Sequence, residues 1–335
     1  MQCSSSSSNP HCQCVSILYP QTNKIWSFKR TLSVTPPPPP PQQQRASRDE
    51  KPKLITSVSN PFVKHCLKLR NCSSYRRSHG SALVVGSTPI REICRFRDSL
   101  QDESVLMDCL ILPDQAEIPD GLDKSTASIV RVSSIVMRKL SGLQSIDSID
   151  AVALVKIPAS FFDVDYNQKN CQKWFPSAHR ILVLDGIQDP GNLGTLLRTA
   201  VAFRWDGVFL LPGCCDPFNE KALRASRGAS FQVPLVSGSW NHLEFLKEEF
   251  HMKLLAGHPE HEGLVKPVCL LSPSFCDSIS DMPLCLVLGS EGSGLSEKSL
   301  QACELVSIAM AGEYESLNVS VAGGIFLYML QPKSR

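Results

Sequence analysis

The spacing of apolar and polar positions divides the chain into unlike stretches. From Ile181 onward, short continuous apolar runs alternate with segments of helical period. Ile181–Leu184, Val208–Leu211, Lys253–Ala256, Leu284–Leu288 and Leu305–Ile308 read as buried strands. Between them, Asn192–Phe203 places Leu193, Leu196, Leu197 and Ala200 on one helical face. Asn219–Ser226 is a helix opened by an asparagine cap, Trp240–Phe250 is amphipathic, and a last helix starts at about Ser316. Strands apolar throughout and separated by helices predict a mostly parallel sheet with helices on both faces. Ligands of such sheets sit at the carboxyl ends of the strands. The loops Asp185–Asn192, Gly289–Ser296 and Ala309–Glu315 are therefore the expected binding region.

Residues 53–157 form a smaller α/β pattern. Pro61–Leu69, Pro89–Phe96 and Ser133–Ser141 have helical spacing, and Ala82–Val85, Val105–Leu112 and Ala151–Lys156 are strand-like. Residues 158–178, with Pro158, Pro176 and a polar centre, read as a linker to a domain spanning 179–331. Residues 1–48 lack both periods. They hold Ser4–Ser8, the proline run Pro36–Pro41, five basic residues and no acid. That composition predicts an organelle transit peptide, with chloroplast favoured over mitochondrion, and an extended polyproline spacer.

Charge sharpens the division. The formal net charge is +2, yet the first 91 residues carry 13 Lys/Arg against Asp49 and Glu50 alone. A basic front half on an acidic remainder suits an anionic polymer as partner. Within Ile55–Gly80, Lys64, Lys68, Arg70, Arg76 and Arg77 occur without a carboxylate, beside Asn60, Asn71, Tyr75 and His79. Such a mixture can meet phosphates and stack on bases; a solvated helix face is the plainer alternative.

Several chemistries are excluded. No run of 18 apolar residues exists to span a membrane as a helix. The 14 cysteines form no Cys-x-x-Cys, and the His spacing suits no metal, so no metal is expected. Gly289–Leu295 has the glycine spacing of a phosphate loop, but Leu295 stands where its lysine is required. No Gly-x-Gly-x-x-Gly and no Gly-x-Ser-x-Gly is present.

Three segments remain: ILVLDGIQDPGNLGTLLRTAVAF (Ile181–Phe203), LVLGSEGSGLS (Leu286–Ser296) and Ser307–Ala322, which contains ESLNVSVA. In order and spacing they resemble the three motifs of the SpoU/TrmH family of RNA ribose 2′-O-methyltransferases, within the SPOUT class. Upstream, Ser57-x-x-Asn60-Pro61-x-Val63-Lys64 and Tyr75-Arg76 are similar to this family's RNA substrate-binding domain, which is like a ribosomal protein. The resemblance implies an α/β trefoil-knot domain with a mostly parallel sheet, preceded by a small α/β RNA-binding domain. It implies S-adenosyl-L-methionine as cofactor, held by Leu288, Gly289, Gly294, Ile308, Met310 and Leu317. It implies a catalytic group of Asn192, Arg198, Glu291, Ser316 and Asn318, with Glu291 fixing a buried Arg198 and Asn192 at the start of its helix. Gly289 would let the cofactor approach the backbone. RNA, ribosomal rather than transfer, is the implied partner, together with a homodimer whose contact face includes Val321, Gly323, Gly324 and Tyr328. Ala309 departs from the family's usual proline. A transfer-RNA 2′-O-ribose methyltransferase, a catalytically silent RNA-binding protein of the same fold, and a base methyltransferase are the alternatives.

Overall fold

The computed structural model describes residues 54–100, 107–122, 127–143, 149–165, 170–259 and 266–332. The expected transit peptide and polyproline spacer lie outside the described residues.

The first half comprises α1 (Pro61–Asn71), α2 (Ser73–His79), β1 (Ser81–Val85), α3 (Ser87–Leu100), β2 (Met107–Pro113), β3 (Ser128–Val132), α4 (Ser134–Ser141) and β4 (Val152–Lys156). Its four strands lie in the order β1-β4-β2-β3, antiparallel except for the parallel β2–β3 pair. The second half runs β5 (Phe161–Asp163), α5 (Cys171–Trp174), β6 (Arg180–Asp185), α6 (Pro190–Ala202), β7 (Gly207–Leu210) and α7 (Glu220–Ser226). It continues with β8 (Leu235–Ser237), α8 (Trp240–Glu249), β9 (Lys253–Gly257), β10 (Val268–Leu270) and α9 (Pro273–Ser278). β11 (Leu284–Gly289), α10 (Glu297–Ala302), β12 (Glu304–Ser307) and α11 (Val319–Met329) complete it. The eight strands pair in the order β10-β12-β9-β11-β6-β7-β8-β5, and every pair is parallel.

Side chains alternate across each sheet and so define three cores. Leu83 and Val85 pack with Val63, Leu69, Met137 and Leu140 of α1 and α4. Ile181 and Val183 pack with Trp174, Leu243 and Leu246 of α5 and α8. Between these lies a core shared by both sheets. Ala82, Val84 and Ile90 of the first half join Leu182, Leu184, Leu196, Ala222, Phe231 and Phe326 of the second. The segment read as a linker is partly built into this body: β5 extends the sheet edge beside β8, and α5 buries Cys171 and Trp174.

Two buried arginines tie distant segments together, the first within the second half and the other across the two halves. Arg180, 1% exposed, donates to the backbone carbonyls of Leu330, Ser280 and Met282, which ties the end of α11 to the base of β6 and β11. Arg76, 3% exposed, donates through Nε and Nη2 to Asp216 Oδ2 at 2.9 and 2.5 Å. Its Nη1 donates to the carbonyls of Leu69 and Arg70 at 2.5 and 2.8 Å.

Candidate active site

The carboxyl ends of β9, β11 and β12 converge. Gly289 pairs with Asp185 of β6, and Gly257 pairs with Val306 of β12. A cavity of about 520 Å³ opens there, within the size range of small-molecule sites. Leu288, Gly289, Gly294, Ile308, Met310 and Leu317 all line it, as do Glu291, Ser316 and Asn318. Its apolar walls face a glycine-rich edge of backbone, a combination that accepts a flat heterocycle and leaves amides to read its rim.

Local sequence explains the placement. Asn318 caps α11: its Oδ1 accepts from Ser320 N at 2.9 Å and from Val321 N. The helix therefore begins at Val319, three residues after the position that periodicity suggested. Ser316 and Leu317 stay outside it and line the cavity. Asp189 caps α6 by accepting from Asn192 N at 2.8 Å, and Pro190 takes the first helical position. Asn192 is thus inside the helix, its side chain released from capping. Asp185, buried at the end of β6, accepts from Ser296 N at 2.8 Å and from Ser299 Oγ at 2.5 Å. It anchors the chain immediately after the glycine loop.

At the cavity mouth three motif residues meet. Asn192 Nδ2 donates to Glu291 Oε1 at 2.5 Å, and Asn318 Nδ2 donates to the same oxygen at 2.6 Å. Asn318 Nδ2 also reaches Asn192 Oδ1 at 3.3 Å. A carboxylate only accepts, so Glu291 fixes which end of each amide faces it.

Three expectations change. Glu291 binds the two asparagines, not Arg198. Arg198 is exposed on α6, with no hydrogen bond or ion pair to Glu291 among the described residues. It lies six residues beyond Asn192, about 9 Å along the axis at ~1.5 Å per residue. Gly289 lines the cavity as expected, and it is also held by its own loop: a Cβ there would lie 2.4 Å from the carbonyl carbon and oxygen of Gly294 and 2.5 Å from Leu295 N. Gly323 is buried rather than on an outer face, because a Cβ would meet Leu196 Cδ2 at 2.3 Å; Gly324, Val321 and Tyr328 do face outward. Of the five basic residues assigned to RNA, Arg76 is consumed by Asp216. Arg70 donates to Lys139 O and lies 3.8 Å from Glu220, and Arg77 pairs with Asp163 at 2.8 Å. Arg77, 54% exposed in that surface pair, and Lys64 and Lys68 remain exposed, with Lys68 over the ring of Tyr75.

Sequence reasoning missed Gly257, His258 and Pro259, which also line the cavity. The carboxyl-end rule applies to β9 as much as to its neighbours, and Gly257 at its end was the available signal. Cys214 and Cys215 lie by the Asp185–Ile187 turn. Burial pushes their thiols up to about 11 and about 12, which keeps them protonated. Among the described residues no cluster of three metal-ligating side chains occurs, and no helix is long and apolar enough to cross a membrane.

Comparison with known proteins joins this geometry to the motifs. The SpoU rRNA Methylase family model matches residues 179–328. An uncharacterized tRNA/rRNA methyltransferase of Synechocystis sp. is 31% identical over 281 residues, spanning 82% of this chain and 92% of the relative. The chain belongs to the SpoU methyltransferase family. The 23S rRNA (guanosine(2553)-2′-O)-methyltransferase RlmP of Bacillus subtilis is 29% identical over 289 residues, 83% of this chain and 99% of that protein. A crystal structure of an RNA 2′-O ribose methyltransferase superposes with a TM-score of 0.63 at 25% identity, covering 83% of this chain and 98% of the other. As a member of this family the protein is an RNA 2′-O-ribose methyltransferase that uses S-adenosylmethionine. The apolar walls and glycine edge of the cavity suit that cofactor.

Proposed function

We propose that this methyltransferase acts on ribosomal RNA, as a homodimer, inside a chloroplast. The observation that carries the rRNA reading is the extent of similarity to the 23S rRNA enzyme. It spans 99% of that protein and 83% of this chain, too much to come from the catalytic half alone. The organelle reading rests on the acid-free, serine-rich first 48 residues.

Bound S-adenosylmethionine supplies an activated methyl group on a sulfonium. The protein must place a ribose 2′-hydroxyl in line with it and accommodate the departing proton. Glu291 holds the amides of Asn192 and Asn318, leaving one Asn192 N–H to orient a ribose oxygen. Ser316, on the cavity lining, adds a hydroxyl at the same mouth. A guanidinium is a poor base, so the role of Arg198 is to grip phosphate and stabilise the developing alkoxide rather than to take the proton. The proton passes to water or a phosphate oxygen.

Arg198 makes no hydrogen bond or ion pair with this network within one chain among the described residues, which supports a dimer that brings in the partner's copy. Val321 and Tyr328, 53% and 56% exposed on α11, give that interface an apolar centre. The sheet order supports a knotted path: β11 lies between β9 and β6, and α11 returns over β11 onto α6.

The test is methyl transfer to an unmodified transcript spanning guanosine 2553 of B. subtilis 23S rRNA, with a transfer RNA transcript alongside. Methylation of the first and not the second is expected; the reverse overturns the rRNA reading. Val321→Asp is expected to yield a monomer in sedimentation with little turnover. A fluorescent fusion of residues 1–53 that enters mitochondria alone would overturn the plastid assignment.

A further inference from the structure

α7 is short, and its charges are sorted by face. Asn219 caps it by accepting from Lys221 N at 2.9 Å. Ala222, Leu223 and Ser226 are buried in the shared core. Its one carboxylate, Glu220, is 6% exposed and turned inward, paired with Arg224 Nη2 at 2.7 Å and 3.8 Å from Arg70 Nε. The outer face carries Lys221, Arg224 and, at the cap, Arg227, all exposed and all cationic.

Position gives this face meaning. α6 and α7 are in backbone contact: a Cβ on Gly194 would lie 2.5 Å from Ala222 O, 2.6 Å from Ala225 Cβ and 2.8 Å from Ser226 N. Gly194 sits between Asn192 and Arg198 on α6, so the axis of α7 lies about one helix width, ~8–10 Å, from that of the helix carrying both residues. At its start, α7 meets Arg70 of α1 through Glu220. At its end, Gly228 abuts Ile93 and Pro89 of α3, the Cβ position being 2.7 Å from Ile93 Cγ1. α7 therefore spans the seam between the small-sheet half and the catalytic half. Arg227 has φ +50, a left-handed conformation that glycine or asparagine adopts with less strain. A long cationic side chain occupies a backbone position that does not favour it.

The geometry points to the outer face of α7, Lys221 and Arg227 with Arg224 held between them by Glu220, as a phosphate-binding track for RNA, between the basic α1 surface at Lys64 and Lys68 and the ribose held at Asn192. This rests on the RNA methyltransferase reading and adds the route by which the strand crosses the seam. It also supplies cations for phosphate that Arg76 and Arg70, committed to joining the halves, cannot provide.

The experiment uses the full chain and the double variant Lys221→Gln/Arg227→Asn. Arg224 is left in place because buried Glu220 needs it, and asparagine tolerates the left-handed turn. The readouts are filter binding of the 23S transcript from 50 to 200 mM salt, KM and kcat for that transcript, and calorimetric affinity for S-adenosylmethionine. Each phosphate contact removed lowers the log–log salt slope by about 0.7 to 0.9, so two such removals lower it by roughly 1.5. KM should rise several-fold, with kcat at saturating RNA and cofactor affinity unchanged. Lys247→Gln, on the exposed side of α8, should match the wild type. A wild-type slope and KM in the double variant overturn the track. A fall in cofactor affinity also counts against it, unless Lys221→Gln alone, which leaves the turn untouched, gives half the slope change. If the wild-type protein methylates no RNA, the functional reading fails at that step. The filter-binding slope still decides the track separately.

Discussion

Replacing Arg76 by methionine should destabilise the protein through a charge left behind, not through lost packing. Methionine fills much of the volume of the arginine stem. What disappears is the guanidinium: two hydrogen bonds to Asp216 Oδ2 and two to the carbonyls of Leu69 and Arg70. Asp216 is 15% exposed, so its carboxylate would stay largely desolvated without a counter-charge. Removing one partner of such a pair costs about 3–5 kcal/mol. At about 2–4 °C per kcal/mol for a body of this size, Tm should fall by roughly 10 °C. Calorimetric melting of wild type, Arg76→Met, and Arg76→Met with Asp216→Asn is the assay. Asparagine removes the charge yet keeps the Oδ1 acceptor for Phe218 N at 2.8 Å, so the double variant should recover more than half of the loss. A single variant within about 1 kcal/mol of wild type would refute the argument. So would a double variant no better than the single one, since the cost would then lie with the two carbonyls.

Gly289→Ala should weaken S-adenosylmethionine binding at least tenfold by calorimetry, because its Cβ would collide with Gly294 and Leu295 backbone; Gly292→Ala, with nothing within 4 Å, should bind normally. Among the described cysteines, Cys72 should be alkylated first at pH 8. It is exposed and its thiol is lowered by the Ser74 hydroxyl, whereas burial pushes Cys66 up to about 12 and raises Cys285 further. Mass spectrometry that finds Cys66 or Cys285 labelled first would contradict the burial. His65 is held below its usual value, first by burial and then by neighbouring His79. The folded state therefore binds its proton less readily than the unfolded chain. Stability should decline as pH falls below about 6.5 and level off below the lowered folded value. Urea unfolding at pH 7.5 and 5.5 should show a smaller acid loss in His65→Gln than in wild type, and equal losses would refute it.

Much of the second half was legible because its strands are buried on both faces. Runs such as Leu284–Leu288 then carry no competing signal, and the observed strands lie within a residue or two of expectation. The elements that escaped notice are short or at an edge. β5, β8 and β10 have three residues each, too few for a period to show. The helix starts were misplaced where a side-chain cap decides them: Asp189 before Pro190, and Asn318 after Ser316 and Leu317.

By itself the sequence determined the family, the parallel-sheet class and the cavity-lining residues that fall within its motifs, though not Gly257, His258 and Pro259 at the end of β9. Those depend on motifs and local periods, which a linear chain displays directly. The partners of the charged groups were decided only by the tertiary structure. Arg76 and Arg198 look alike as basic residues in helices, yet one is sealed against Asp216 and the other faces solvent. Glu291 could have met Arg198, but the register of β11 against β6 and the cap at Asn318 bring two asparagines to it instead. An ionic or hydrogen-bonded pair forms between groups 27 to 140 residues apart here. Its energy depends on distance and burial, and neither exists until the sheets have packed.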